Sequence, residues 1–210
     1  MGMPGVGKGT QAVRLEECLQ VPHVSTGDIL RSAVRAGSAL GRRVKDCLDG
    51  GDLVPDDVMG ELIGDRLGRD DARAGFVLDG FPRTRPQVDT LDRVLDRMGV
   101  PVERVILLRA EEDEIVRRLA GRRVCPGCDA VYHLETNPPI SAGVCGRCGS
   151  ALVQRPDDAE TVVRDRLRLY REQTLPAADV YRERGLLAEI DGVGTPVEVF
   201  ERIRSELSAS

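Results

Sequence analysis

Three groups of residues have types and spacings suited to chemistry on a charged ligand. Gly2, Gly5, Gly7 and Lys8, within GMPGVGKGT at 2–10, fit the phosphate-loop pattern G-x-x-x-x-G-K. Glycines let backbone N–H groups turn inward around a polyphosphate, and the following helix points its positive end at the same anion. Lys8 is one of only two lysines among 30 basic residues, the other being Lys45. An arginine-rich chain that keeps a lysine here needs a compact ammonium on the phosphates; the alternative is a flexible glycine-rich tail. The residue after Lys8 is Gly9, with the hydroxyl delayed to Thr10, and only Met1 precedes the loop, which normally follows a strand.

The second group is Cys125-Pro-Gly-Cys128 and Cys145-Gly-Arg-Cys148, two C-x2-C knuckles within zinc-ribbon spacing. Four thiolates would close a tetrahedral, structural zinc site, with His133 superfluous; two disulfides are the alternative. Cys18 and Cys47 stand alone in helical segments and are expected to be buried small apolar residues. The third group is an acid with arginines. Asp79 ends the apolar run FVLD, where it would hold magnesium through water, or act as a cap or turn residue. Arg83 follows it. Arg118, Arg122 and Arg123 precede the cysteine segment and Arg155, Arg164 and Arg166 follow it. Most arginines are expected to be solvated charge. If the segment folds over the glycine loop, Arg122 and Arg155 reach the phosphates and stabilise a transferring phosphoryl group.

These residues need a scaffold. Helices are expected at 8–20, from Thr26 or Asp28 as cap to Ala36, and at 41–49, 56–67, 86–98, 111–120, 158–184 and 196–207. Short strands are expected at 23–25, 76–79, 105–108 and 187–190. Strands alternating with helices predict an α/β fold with a doubly wound parallel sheet, and ligands at the strands' carboxyl ends. The 210 residues allow one domain with insertions or two small ones. Hydrophobic residues make up 41% and aromatics only 3%, so the core must be aliphatic. A net charge of −5 argues against general nucleic-acid binding. No apolar run approaches a membrane span, and no signal segment is evident, so the cytosol is the expected location, where paired cysteines suggest metal.

With these residues in hand, the chain resembles the adenylate kinases of the long type whose lid holds zinc. The resemblance covers residues 2–207: GMPGVGKGTQ, STGDILR at 25–31, DGFPRT with Gln87, and RLAGRRVC, VYH and RPDDAETVVRDRL around the cysteines. It implies a single domain of the P-loop nucleoside-monophosphate kinase type over 1–210, with an AMP-binding arm at 25–54 and a zinc-binding lid at 122–159. Gly5, Val6, Gly7, Lys8, Gly9 and Thr10 would hold the ATP phosphates. Arg122, Val131 and Tyr132 would meet ATP from the lid, and Gly194 would meet its adenine. Thr26, Arg31, Asp52, Leu53, Val54, Gly80, Phe81, Pro82, Arg83 and Gln87 would hold AMP. Arg155 and Arg166 would contact AMP or the phosphoryl group in transit, and Asp157 and Asp158 would brace lid closure.

The implied activity is reversible phosphoryl transfer from MgATP to AMP, giving two ADP, by a monomer that needs neither nucleic acid nor membrane. Lys8, Arg83, Arg122, Arg155 and Arg166 would be catalytic, without a general base, because the nucleophile is already an anionic phosphate oxygen. The chain departs from the pattern at Pro55, where a hydroxyl residue is frequent, and at Asp52, where lysine is common. The first strand is apparently missing; the expectation is that the natural chain starts roughly five or six residues upstream of Met1. Two competing readings are a UMP/CMP kinase of the same fold and a zinc-ribbon nucleic-acid-binding ATPase. Residues 125–148, with one Arg and one Tyr, do not favour the second.

Overall fold

The computed structural model describes residues 1–208. Helix α1 (Lys8–Leu19) leaves the glycine loop and leads to β1 (His23–Ser25). Helices α2 (Thr26–Arg35), α3 (Ala39–Gly50) and α4 (Asp56–Leu67) follow, then β2 (Val77–Asp79), α5 (Arg85–Met98), β3 (Val105–Arg109) and α6 (Glu112–Gly121). The cysteine segment contains β4 (Arg122–Val124) and β5 (Val131–His133). Helices α7 (Glu160–Leu169) and α8 (Leu175–Glu183), strand β6 (Leu187–Asp191) and α9 (Pro196–Ser208) complete the chain. Among the described residues no helix is long and apolar enough to cross a membrane.

All the pairing outside the cysteine segment is parallel, as expected of strands separated by helices, but the sheet is in two pieces. Strand β1 pairs with β2, His23 opposite Val77 and Ser25 opposite Asp79; β3 pairs with β6, Val105 opposite Leu187. The N-terminal residues pair with the second piece: Gly2 bridges Leu108 of β3, and the Leu108 N–H donates to the Met1 carbonyl at 3.0 Å. Among the described residues the parallel strands form two two-stranded sheets, in the mixed α/β arrangement expected from the sequence.

The core is aliphatic, in two main clusters. Val24, Val44, Ile63, Leu67 and Leu91 are buried around the β1–β2 piece, and Val6, Leu108, Ile115, Leu119, Leu167 and Ile203 around the β3–β6 piece. Four local expectations need correction. Helix α2 is capped by the Ser25 hydroxyl, which accepts from the Asp28 N–H at 3.2 Å, rather than by Thr26 or Asp28. The helix expected over 158–184 is interrupted by a π-turn at Tyr170–Thr174, just before Pro176. A proline has no N–H for the α-helical ladder, and a wider turn absorbs the missing bond. The cysteine segment carries an antiparallel hairpin, Arg122 opposite His133 and Val124 opposite Val131, whose three-residue strands are too short to leave a periodic signal. Cys18 is exposed and Cys47 half-buried, so neither is the buried apolar residue expected.

Candidate functional site

The glycine loop supplies a concave backbone. Gly2, Gly5 and Gly7 all have φ in the left-handed region. At Gly5, φ is +77° and a Cβ would stand 2.7 Å from Leu119, so no side chain fits. Gly7 begins α1 without a side-chain cap, which leaves first-turn N–H groups of the helix available to an anion. Lys8 folds back over the loop and donates to the carbonyls of Gly2 at 2.8 Å and Met3 at 2.7 Å. Burial lowers its pKa to about 8 against the pull of Asp79, and the charges of Arg83, Arg166 and Arg122 act in the same direction as burial. Gly9 sits where a Cβ would come within 3.6 Å of Asp79 Oδ2, so the carboxylate faces the first turn of α1.

Asp79 ends β2, as expected of a buried strand that delivers an acid. Burial alone would raise its pKa, but His23 and the Lys8 ammonium outweigh it and hold the group at about 2. His23 Nε2 lies 3.7 Å from Asp79 Oδ2, an electrostatic contact rather than a hydrogen bond. Asp79 is thus a partly buried anion at neutral pH, suited to a hydrated divalent cation.

Arg83 feels the charge of Asp79, and Arg83, Arg122 and Arg166 act together on Lys8. Arg83 is anchored by its Nε on the Gly80 carbonyl at 2.8 Å, and burial lowers its pKa. Arg122 grips Asp158 with two donors, Nε to Oδ2 at 2.8 Å and Nη2 to Oδ1. Arg166 meets Asp157 Oδ2 at 2.8 Å and Asp158 Oδ1 at 3.7 Å. Burial lowers Arg155 to about 10, assisted by the neighbouring charges of Arg31 and Arg122. Burial and neighbouring guanidinium charges lower the pKa values of Arg83, Arg155 and Arg166, and an anion among them would relieve that repulsion. Arg118 belongs elsewhere: it donates to the carbonyls of Val6 at 3.3 Å and Gly192 at 3.1 Å, and so braces the loop.

A cleft of about 520 Å³ opens between α2, α3 and β2. Thr26, Arg31, Asp52, Leu53, Val54, Gly80, Arg83, Gln87 and Arg166 all line it. Pro82 and Phe81 instead line an adjoining cleft of about 610 Å³ that Lys8, Arg83 and Arg166 share. Val131, Tyr132 and Gly194 line neither; the Tyr132 hydroxyl is occupied as acceptor of the Gly146 N–H at 2.9 Å. The sequence reading missed Leu30, Leu48 and Met59 on the wall. Their apolar, helical spacing looked like ordinary core, and nothing in it distinguishes a cleft wall.

The four cysteines come together as their spacing predicts. Their Sγ atoms all lie within 4.8 Å of one another, with Cys125 to Cys148 at 3.3 Å and Cys128 to Cys145 at 3.5 Å. Disulfides would hold the pairs at about 2.05 Å, and all six cysteines are free thiols. Zn–S bonds of about 2.3 Å in a tetrahedron require S···S separations near ~3.8 Å, so the cluster fits such an ion. His133 is turned away, its Nδ1 accepting from the N–H groups of Glu135 and Thr136.

The adenylate kinase family model matches residues 1–186. An adenylate kinase of Trichlorobacter lovleyi is 50% identical over 206 residues, 98% of this chain and 96% of that protein. One of Methanocella arvoryzae is 50% identical over 191 residues, 91% of this chain and 88% of that protein. One of Caldanaerobacter subterraneus is 44% identical over 207 residues, 99% and 94% of the two chains. Loop, buried acid, arginine cluster and four-thiol segment lie inside alignments that span nearly the whole length of both partners, and on that basis the chain belongs to the adenylate kinase family.

Proposed function

We propose that the protein transfers a phosphoryl group reversibly between MgATP and AMP, giving two ADP. The observation that carries this is the set of cations around the phosphate loop: Arg83, Arg122 and Arg166 act on Lys8, Arg83 and Arg166 line both adjoining clefts, and Arg155 stands near Arg122. An oxygen of the AMP phosphate forms the new bond to the γ-phosphorus as the bond to the bridging oxygen of ATP breaks. Both oxygens are anionic, so no proton need move and no general base is required. The chain's task is to align the two nucleotides and neutralise the charge on the transferred group.

The roles follow from position. Gly5, Val6, Gly7, Lys8, Gly9 and Thr10 cradle the ATP phosphates. Arg122, Val131, Tyr132 and Gly194 complete the ATP side, although only Arg122 stands among the charges around Lys8. The cleft residues from Thr26 to Gln87 take AMP, with Phe81 and Pro82 shaping its edge. Residues 25–54 act as the AMP arm and 122–159 as the lid, within one domain; closure excludes water, the competing acceptor. Magnesium supplies charge neutralisation on the ATP phosphates, and Asp79 would hold it through water. The four thiols would hold a structural zinc that stiffens the lid.

ATP, AMP and ADP are the partners of this reaction. The protein would act as a monomer, and its free thiols suit the cytosol. Nothing on the cleft wall or among the matched relatives favours a pyrimidine acceptor. The test is an assay of ADP formation from ATP with AMP, CMP, UMP or GMP as acceptor. AMP should dominate; equal or greater turnover with CMP or UMP would overturn the assignment.

A further inference from the structure

Asp56 is the first residue of α4 and does not line the cleft, yet it holds Gln87, the only side-chain amide among the described residues that does. Gln87 Nε2 donates to Asp56 Oδ1 at 2.6 Å, and Gln87 Oε1 accepts the Arg83 N–H at 2.7 Å. Thr84, whose hydroxyl accepts the Gln87 N–H at 3.2 Å, donates that hydroxyl's proton to the same carboxylate. The two contacts on the amide have fixed and opposite senses. A carboxylate can only accept and a backbone N–H can only donate, so the amide of Gln87, 2% exposed, cannot turn over.

After these bonds Gln87 keeps one N–H and one oxygen lone pair, in an order that Asp56 and Arg83 determine. A 6-aminopurine offers a donor at N6 beside an acceptor at N1; a 6-oxopurine offers the reverse, an acceptor at O6 beside a donor at N1. Arg31, Arg83 and Arg166 line the same cleft; a phosphate held by them would fix which way round the base enters. A locked amide therefore matches one pattern and opposes the other with a donor facing a donor.

We propose that Asp56 is a positioning residue that makes the acceptor cleft select 6-aminopurine over 6-oxopurine monophosphates by locking the amide of Gln87. The proposal rests on the reading of this cleft as the acceptor-nucleotide site. AMP and IMP are the suitable probes, because their bases differ only at the edge concerned.

The experiment measures kcat and KM for AMP and for IMP, with ATP as donor, in the parent and three variants. Asp56→Ala should lower the AMP:IMP ratio of kcat/KM about tenfold or more, mostly through KM for AMP. Asp56→Asn retains an acceptor oxygen and should restore most of the ratio. Asp57→Ala removes the neighbouring charge at the same helix end without touching Gln87, and should leave the ratio at the parent value. Should Asp56→Ala fail to fold, Asp56→Ser, which keeps a hydroxyl at the helix start but is too short to reach Gln87, should show the same fall. Calorimetric titration with AMP and IMP alone reads the ratio without turnover, so a parent lacking kinase activity would count against the function and not against the locked amide. An AMP:IMP ratio in the folded Asp56→Ala or Asp56→Ser variant equal to the parent's overturns the proposal.

Discussion

Arg35 on α2 and Asp129 beside the first cysteine knuckle form a two-pronged ion pair, Nη1 to Oδ1 at 2.7 Å and Nη2 to Oδ2 at 2.8 Å, across 94 residues of sequence. It joins the segment proposed as the AMP arm to the segment proposed as the lid. Asp129 holds a left-handed backbone, φ 58°, which a short polar residue tolerates better than most and which aims its carboxylate outward from the knuckle.

Both side chains are about half exposed, 40% and 55%, so the pair adds little to global stability, roughly 1 kcal/mol or less. Its effect should fall on how closely the arms approach. Asp129→Arg should widen the distance between spin labels placed on α3 and on the lid, and the swap Arg35→Asp with Asp129→Arg should bring it back. The same distance in the single, double and parent proteins would show that the pair does not hold the arms.

Lys8 gives stability a pH dependence. Its folded pKa, about 8, lies below the ordinary 10.5, so burial of the ammonium costs stability at and below neutral pH. As the pH rises from about 8 to 10.5 the folded state sheds its proton while the unfolded state keeps one, and stability should increase. The shift corresponds to about 3 kcal/mol. Urea unfolding of the parent and of Lys8→Met between pH 7 and pH 10 measures this; the parent should gain stability relative to the variant. Parallel curves would mean that Lys8 is not titrating in that range.

Loss of the Lys8 charge should also slow the chemistry. The expected fall in kcat for Lys8→Met is on the order of 10²-fold or more, the magnitude for a single electrostatic donor in a closed site. Circular dichroism should show the fold retained. Turnover within a few-fold of the parent's would remove Lys8 from the catalytic group.

Zinc should be bound at one ion per chain through Cys125, Cys128, Cys145 and Cys148. Replacing Cys125 and Cys128 by Ser should abolish it and lower the melting temperature, because metal-binding free energy contributes to folding. Elemental analysis decides the matter. Full zinc content in the double variant would place the ion elsewhere.

The local chemistry was legible where residue type and spacing are bound together by a single physical need. The glycines of the loop, the acid closing FVLD and the cysteine knuckles all lie where their spacing predicts. Contacts far apart in sequence were not legible. Nothing near Arg35 points to Asp129, and nothing near Gln87 points to Asp56, because each pair meets only after the helices between them pack. Of the residues assigned through the resemblance, those from Thr26 to Gln87 line the clefts, whereas Arg122, Val131, Tyr132, Arg155 and Gly194 line neither. The interruption of the 158–184 helix left one clue, Pro176, which a polar helical pattern concealed.

The most direct test follows ATP, AMP and ADP together by phosphorus NMR in the presence of magnesium. ATP and AMP should disappear one for one, two ADP should appear for each pair consumed, no ATP should be lost without AMP, and ADP alone should run the reaction backwards to the same ratio. Steady release of inorganic phosphate from ATP irrespective of AMP would contradict it.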